Sequence, residues 1–282
     1  MLLFCGHKWY NTCMITMFIA CASAAGCFAA LHYGAHLGTG WSVFASLAAF
    51  VAVQATIGVR LRRSIKAVMD EVQRIMLEGR EKIDAKVRRW QFRPPGSVKA
   101  AQLEIERDTR EFTLEALKAT EKLRKLKYWM PFLERQIATA QFQLCWILKD
   151  FDKVDELLPK AFVAGPEMTA MKLARMQMRG EPVEAIRKVY DKSAKRARYN
   201  GNVLADACFS WILVKRGLVD DAFKVLTAAL KKSDNQFLKA NHEHLMNNRV
   251  THFTNSGFGE QWYSLFLEEP KIKTQKQRPV YR

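Results

Sequence analysis

The chain has 282 residues and a mass of 32.4 kDa, room for one large domain or two small ones. With 49% hydrophobic and 26% charged residues it has the composition of a folded protein, which excludes wholesale disorder. Its 45 Lys and Arg against 28 Asp and Glu give +17, while 8 Pro and 14 Gly are too few for a collagen-like or low-complexity chain.

Between Lys8 and Arg60 there is no Lys, Arg, Asp or Glu. Within that block, Cys13 to Leu31 and Trp41 to Val59 are apolar runs of 19 residues each, separated by the polar, Gly-rich stretch from His32 to Gly40. Nineteen helical residues span about 28 Å, close to the hydrocarbon thickness of a bilayer. Residues 1–59 therefore read as a transmembrane hairpin with spans at about 13–31 and 41–59. Lys8 precedes the first span and Arg60, Arg62, Arg63 and Lys66 follow the second, whereas the intervening loop has no fixed charge. The positive-inside rule then predicts a multi-pass protein of the cell (inner) membrane with both termini cytoplasmic. Ala22, Ser23 and Ala24 leave a cleaved signal peptide as the rival reading of the first span. Small residues at Ala22, Gly26 and Ala30, and at Ala45, Ala48, Ala52 and Ala55, suit close packing of two lipid-embedded helices. Cys5, Cys13, Cys21, Cys27, Cys145 and Cys208 contain no C-x-x-C pair, which favours buried filler over redox or zinc chemistry.

Residues 60–135 predict a basic, membrane-proximal helical hairpin. Leu61, Ile65, Val68, Val72, Ile75, Gly79, Ile83, Val87 and Trp90 recur at helical spacing and continue the second span until Pro94-Pro95-Gly96 stops the helix. A second stripe, Val98, Ala101, Ile105, Phe112, Ala116, Ala119, Leu123 and Leu126, is interrupted by Asp108 and suits coiled-coil packing. Residues 60–99 hold 12 basic and 5 acidic side chains. Arg60, Arg62, Arg63 and Lys66 are the predicted contacts for anionic lipid head groups. Only Trp90 and Phe92 offer stacking surfaces there, so nucleic acid is a poor fit.

From about 136 the helices shorten and three segments align: 140–158, 171–186 and 207–226. Each has an apolar helix, a turn at Lys149, Gly180 or Gly217, and a second helix marked by Val154, Ala185 or Ala222. The last three positions lie 31 and 37 residues apart, a mean of 34. These segments resemble the tetratricopeptide (TPR) repeat, with Ala161, Ala229 and Pro166 at its small and proline positions. Lys149 stands in place of glycine, and Asp206 and Lys172 lie where that repeat prefers apolar residues. The resemblance implies an all-α fold: the transmembrane hairpin, the long helical hairpin, and a TPR-like α-solenoid over 136–250. Residues 251–270 then read as a C-terminal cap built from Phe253, Phe258, Trp262, Tyr263 and Phe266, and 271–282 as an exposed basic tail. The order of spans, basic juncture and repeats is similar in layout to the HemY family of bacterial inner-membrane proteins, and no haem chemistry is carried over from that layout.

His242, Glu243, His244 and His252 lack the spacing of a metal site. Asp220-Asp221 and Glu268-Glu269 are expected to answer helix dipoles or solvent, and no nucleophile elbow is present. The chain is expected to be no enzyme, to need no cofactor and to bind no metal. The expected function is that of a membrane-anchored scaffold or adaptor with a cytoplasmic surface for a protein partner. The TPR resemblance places the inner groove at Gln143, Trp146, Ala174, Gln177, Trp211 and Val214, although Trp146 and Trp211, in strongly apolar stretches, read as core rather than groove. The alternative is a structural envelope protein that homo-oligomerises through the 60–130 helices without binding a peptide.

Overall fold

The computed structural model describes residues 7–34, 36, 38–93, 95–126, 129, 133–197 and 201–270, with side chains from residue 16 onward. The basic tail, 271–282, lies outside the described residues, as do Cys5 and Pro94. Among the described residues the chain is all-helical, without a strand.

Helix α1 (His7–Ala29) runs into a π-helical turn (Ala30–Gly34), and α2 (Thr39–Trp90) packs back along it. Both are long and apolar enough to cross a membrane. Their outer faces carry exposed Phe18, Val43, Phe44, Leu47 and Val51, with Tyr33 and Trp41 at the hairpin end. In this stretch hydroxyls donate back into the helix, Ser23 to the Ala20 carbonyl at 2.8 Å and Ser46 to that of Val43 at 2.8 Å. Such bonds satisfy a polar group where water is absent. The 52 residues of α2 form one unbroken helix, about 78 Å long at 1.5 Å per residue.

Two compact units divide the chain, 1–162 and 163–282. In the first, α2 ends before the Pro-Gly turn, and α3 (Val98–Glu121) starts where the Ser97 hydroxyl accepts from the Ala100 amide at 3.1 Å. α3 returns antiparallel to α2. Lys86 pairs with Glu104 at 2.8 Å and with Asp108, Gly79 sits under Phe112, and Lys122 donates to Glu71 at 2.7 Å. Between these, Val72, Ile75, Ala116 and Ala119 form a cluster that Leu144 of α4 (Leu133–Ile147) completes. The interrupting Asp108 thus meets a cation across the seam. A 3-10 turn (Lys122–Leu126) follows α3, and α5 (Phe151–Leu157) packs on α4. The first of the three aligned segments therefore belongs with the long hairpin, whereas the sequence groups it with the other two.

The second unit contains α6 (Pro166–Met178), α7 (Val183–Arg196), α8 (Val203–Lys215), α9 (Val219–Leu230), α10 (Gln236–Met246) and the short α11 (Glu260–Tyr263). Consecutive helices pack in pairs, and α6 also packs on α8. Residues 204–213 of α8 are buried on every side. A helix apolar all round needs neighbours on all faces.

The aligned turns share one geometry. Lys149, Gly180 and Gly217 have φ of 56°, 69° and 76°. In each, the next amide donates to the carbonyl five residues back: Asp150 to Cys145 at 3.0 Å, Glu181 to Met176 at 3.0 Å, Leu218 to Leu213 at 2.9 Å. This is the Schellman closure, in which a left-handed residue lets the chain reverse and satisfies the last carbonyls. A fourth instance closes α10, with Asn248 at φ 55° and the Arg249 amide donating to His244 at 2.8 Å.

Candidate functional site

The six inner positions implied by the repeat resemblance fall into distinct environments. Trp146 and Ala174 are buried among neighbouring side chains, Trp146 stacking on Phe142 at 6.0 Å between ring centroids. Gln143 is exposed and Val214 half-buried. The Gln177 amide oxygen accepts from Arg216 Nε at 3.0 Å and Nη2 at 2.7 Å, and Nη2 also donates to the Glu181 carbonyl at 2.8 Å. Gln177 is thereby tied to the turn after α8.

Trp211 is 7% exposed, and its surroundings come from the C-terminal segment. Its indole N–H donates to Glu268 Oε1 at 2.9 Å, while that of Trp262 donates to Oε2 of the same carboxylate at 2.8 Å. The two rings meet edge to face at 5.7 Å, and the Lys215 ammonium lies 5.3 Å from the Trp211 centroid and 3.9 Å from Glu268. Higher on the same helix, Asn255 donates to the Ala207 carbonyl at 2.9 Å and accepts from Asn241 at 2.8 Å. Residues 253–268 thus lie along α8 from Ala207 to Lys215. Glu268, which the sequence assigns to solvent, bridges two indoles instead.

Elsewhere on α8, a cavity of about 270 Å³ opens between α7, α8 and α9. Its floor is a polar relay. Asp206 Oδ1 accepts from the Tyr190 hydroxyl at 2.8 Å and the Asn202 amide at 2.9 Å. Asn202 in turn accepts from Ser193 at 3.1 Å, and Ser193 meets Thr169 at 3.0 Å. Burial raises the Asp206 carboxyl above its ordinary 3.8, and burial with the Asp206 charge raises the Tyr190 phenol. At the mouth, Arg187 pairs with Asp221 and lies over the Phe209 ring at 5.7 Å. Lys224 and Lys232 complete a mixed-charge rim.

Arg60, Arg62, Arg63 and Lys66 are all exposed on α2, just beyond the apolar stretch. Among the described residues no group of three His, Cys, Asp or Glu is gathered as for a metal. His242 stacks on Phe223 at 4.5 Å and meets the Thr227 hydroxyl at 3.0 Å, while His244 and His252 lie 5.7 Å apart.

No family model, curated protein or solved structure matches the chain. The sequence signal for the buried relay was Asp206, a carboxylate inside an apolar run. The Glu268 bridge had none, because its partner Trp211 is 57 residues away.

Proposed function

We propose that this chain is a membrane-anchored scaffold: two spans hold helical repeats of the TPR-like, solenoid type that serve protein–protein interaction on the cytoplasmic side, with anchoring reinforced by Arg60, Arg62, Arg63 and Lys66 at the lipid head groups. The observation that carries it is the recurrence of one left-handed closure at Lys149, Gly180 and Gly217, aligned positions that each end the first helix of a pair. Repeated helix pairs with one apolar face favour stacking and expose an extended surface. The role proposed is one of binding, not catalysis.

In-cell crosslinking of the full-length protein, then detergent extraction and mass spectrometry, tests it. Gln143→Ala is the comparison, because Gln143 is exposed and its loss opens no core. A membrane-fraction partner that weakens in the variant is expected. Self-crosslinks alone, unchanged by the substitution, would overturn the adaptor reading.

One observation favours the structural-oligomer reading: Leu77 and Leu103 stand 54% and 57% exposed on the long hairpin. Val72 and Ile75 belong to the α2–α3 core and cannot serve as its probes. A Leu77→Glu, Leu103→Glu chain with the parent's oligomer size in detergent would remove that reading.

A further inference from the structure

The return of α3 along α2 has a consequence for the membrane. The pairs Lys86 with Asp108, Gly79 with Phe112 and Glu71 with Lys122 fix an antiparallel register in which each step along α3 descends α2 toward its apolar half. Extrapolated through the 3-10 turn, Arg124 to Leu126 stand level with about residues 67 to 69 of α2. α4 then departs the other way, since Gln141 reaches Thr120 and Lys149 reaches Glu106 at 3.6 Å. The 3-10 turn that follows α3 is therefore the membrane-facing end of the three-helix packing.

Level 67 is about 10 Å along the helix from Arg60, the end of the apolar stretch. Head groups extend roughly 5–8 Å beyond the hydrocarbon, and charges act over a Debye length of about 8–10 Å. Arg124 and Lys125 are exposed there. Trp129, 38% exposed, follows with its amide donating to the Leu126 carbonyl at 3.0 Å. Indoles favour the membrane–water interface. Around this end, Arg60, Arg62, Arg63, Lys66, Lys122, Arg124 and Lys125 outnumber Asp70, Glu71 and Glu121.

We propose that this turn is a second membrane-contact site, in which Arg124, Lys125 and Trp129 engage the anionic head groups of the bilayer that holds the hairpin. The proposal rests on the anchoring reading above. Two lipid contacts, one at the root of α2 and one at the foot of α3, hold the first unit at a fixed attitude to the surface.

The test uses the full-length chain in vesicles of phosphatidylcholine alone or with added phosphatidylglycerol. Tryptic cleavage after Arg124 and Lys125 is quantified by mass spectrometry relative to cleavage after the exposed Arg249. Relative cleavage roughly tenfold slower on the anionic vesicles is expected, with the protection abolished near 1 M salt. Brominated lipids should quench an emission component that Trp129→Phe removes. Equal relative cleavage on the two vesicles, or Trp129 emission untouched by bromine, overturns the proposal in a chain that resists alkaline carbonate. Release of the chain by carbonate overturns the anchoring reading itself, and this proposal with it.

Discussion

Asp206 and Glu268 are two carboxylates in different surroundings, the first buried and the second partly exposed. At Asp206 burial outweighs the Tyr190 and Asn202 donors and the Lys232 charge and raises its pKa, so between the unfolded and folded values the folded chain holds a proton that the unfolded chain has lost. Stability from that proton is fully present below the ordinary 3.8 and declines as pH rises through the folded value. Asp206→Asn keeps an acceptor for Tyr190 and Asn202 without the charge. Urea titrations of the full chain in detergent should show a flatter pH dependence for the variant above about pH 4, with its advantage growing as pH rises. Parallel slopes would show that Asp206 is not the titrating group. Glu268, by contrast, uses both oxygens on indole donors and has Lys215 nearby. Glu268→Ala leaves two indole N–H groups without an acceptor and should cost about 1–3 kcal/mol, read as a lower Tm with altered near-ultraviolet tryptophan dichroism. An unshifted transition would mean that the bridge contributes nothing to holding the C-terminal segment.

At the scale of elements, the turns show how far sequence reading reaches. The alignment located Lys149, Gly180 and Gly217 without any coordinates, because a left-handed residue at a helix end selects glycine and leaves a visible mark. Lys149 pays the steric cost of that conformation with a side chain, so Lys149→Gly should raise stability by about 0.5–1 kcal/mol in thermal unfolding. Gly180→Ala should lower it by about 1 kcal/mol, since only backbone strain opposes the methyl group. A different mechanism governs Gly79, where an added Cβ would fall 2.3 Å from Phe112 Cγ. Gly79→Ala should loosen the α2–α3 hairpin, measured as faster amide exchange in α3. Both Gly79 and Phe112 are readable as members of apolar stripes, yet their contact is not. Register between two helices whose contacting residues, Gly79 and Phe112, are 33 apart in sequence depends on which side chains interlock, and stripes alone permit several offsets. The closure at Asn248 escaped the alignment for a related reason: asparagine tolerates the left-handed region but marks it less clearly than glycine.

For the whole molecule, charge distribution and helix continuity underlie the arrangement proposed relative to a bilayer. The charge-free block before Arg60 and the basic residues after it predict that tags at both ends are digested only once the cytoplasmic face is opened to protease. Digestion of one tag from the outer face of intact cells would reverse part of that topology. Because α2 passes from the apolar stretch to Trp90 without a break, the helix that crosses the apolar region also supports α3. A flexible Gly-rich insertion after Lys66 should leave carbonate resistance intact while removing the protection expected at Arg124 and Lys125, as a vesicle digest would show.

The sequence by itself determined the helical class, the two apolar helices, the Pro-Gly stop after α2 and the glycine-marked turns. These are local matters of hydropathy, periodicity and backbone conformation, and each is written within a few turns of chain. Only the tertiary structure decided that the 140–158 segment packs with the long hairpin, that Glu268 joins Trp211 to Trp262, and that the foot of α3 meets α2 at Glu71. Those outcomes depend on side chains far apart in sequence meeting at one packing offset, where the interlocking of particular shapes and charges selects among arrangements that the apolar pattern leaves equally open.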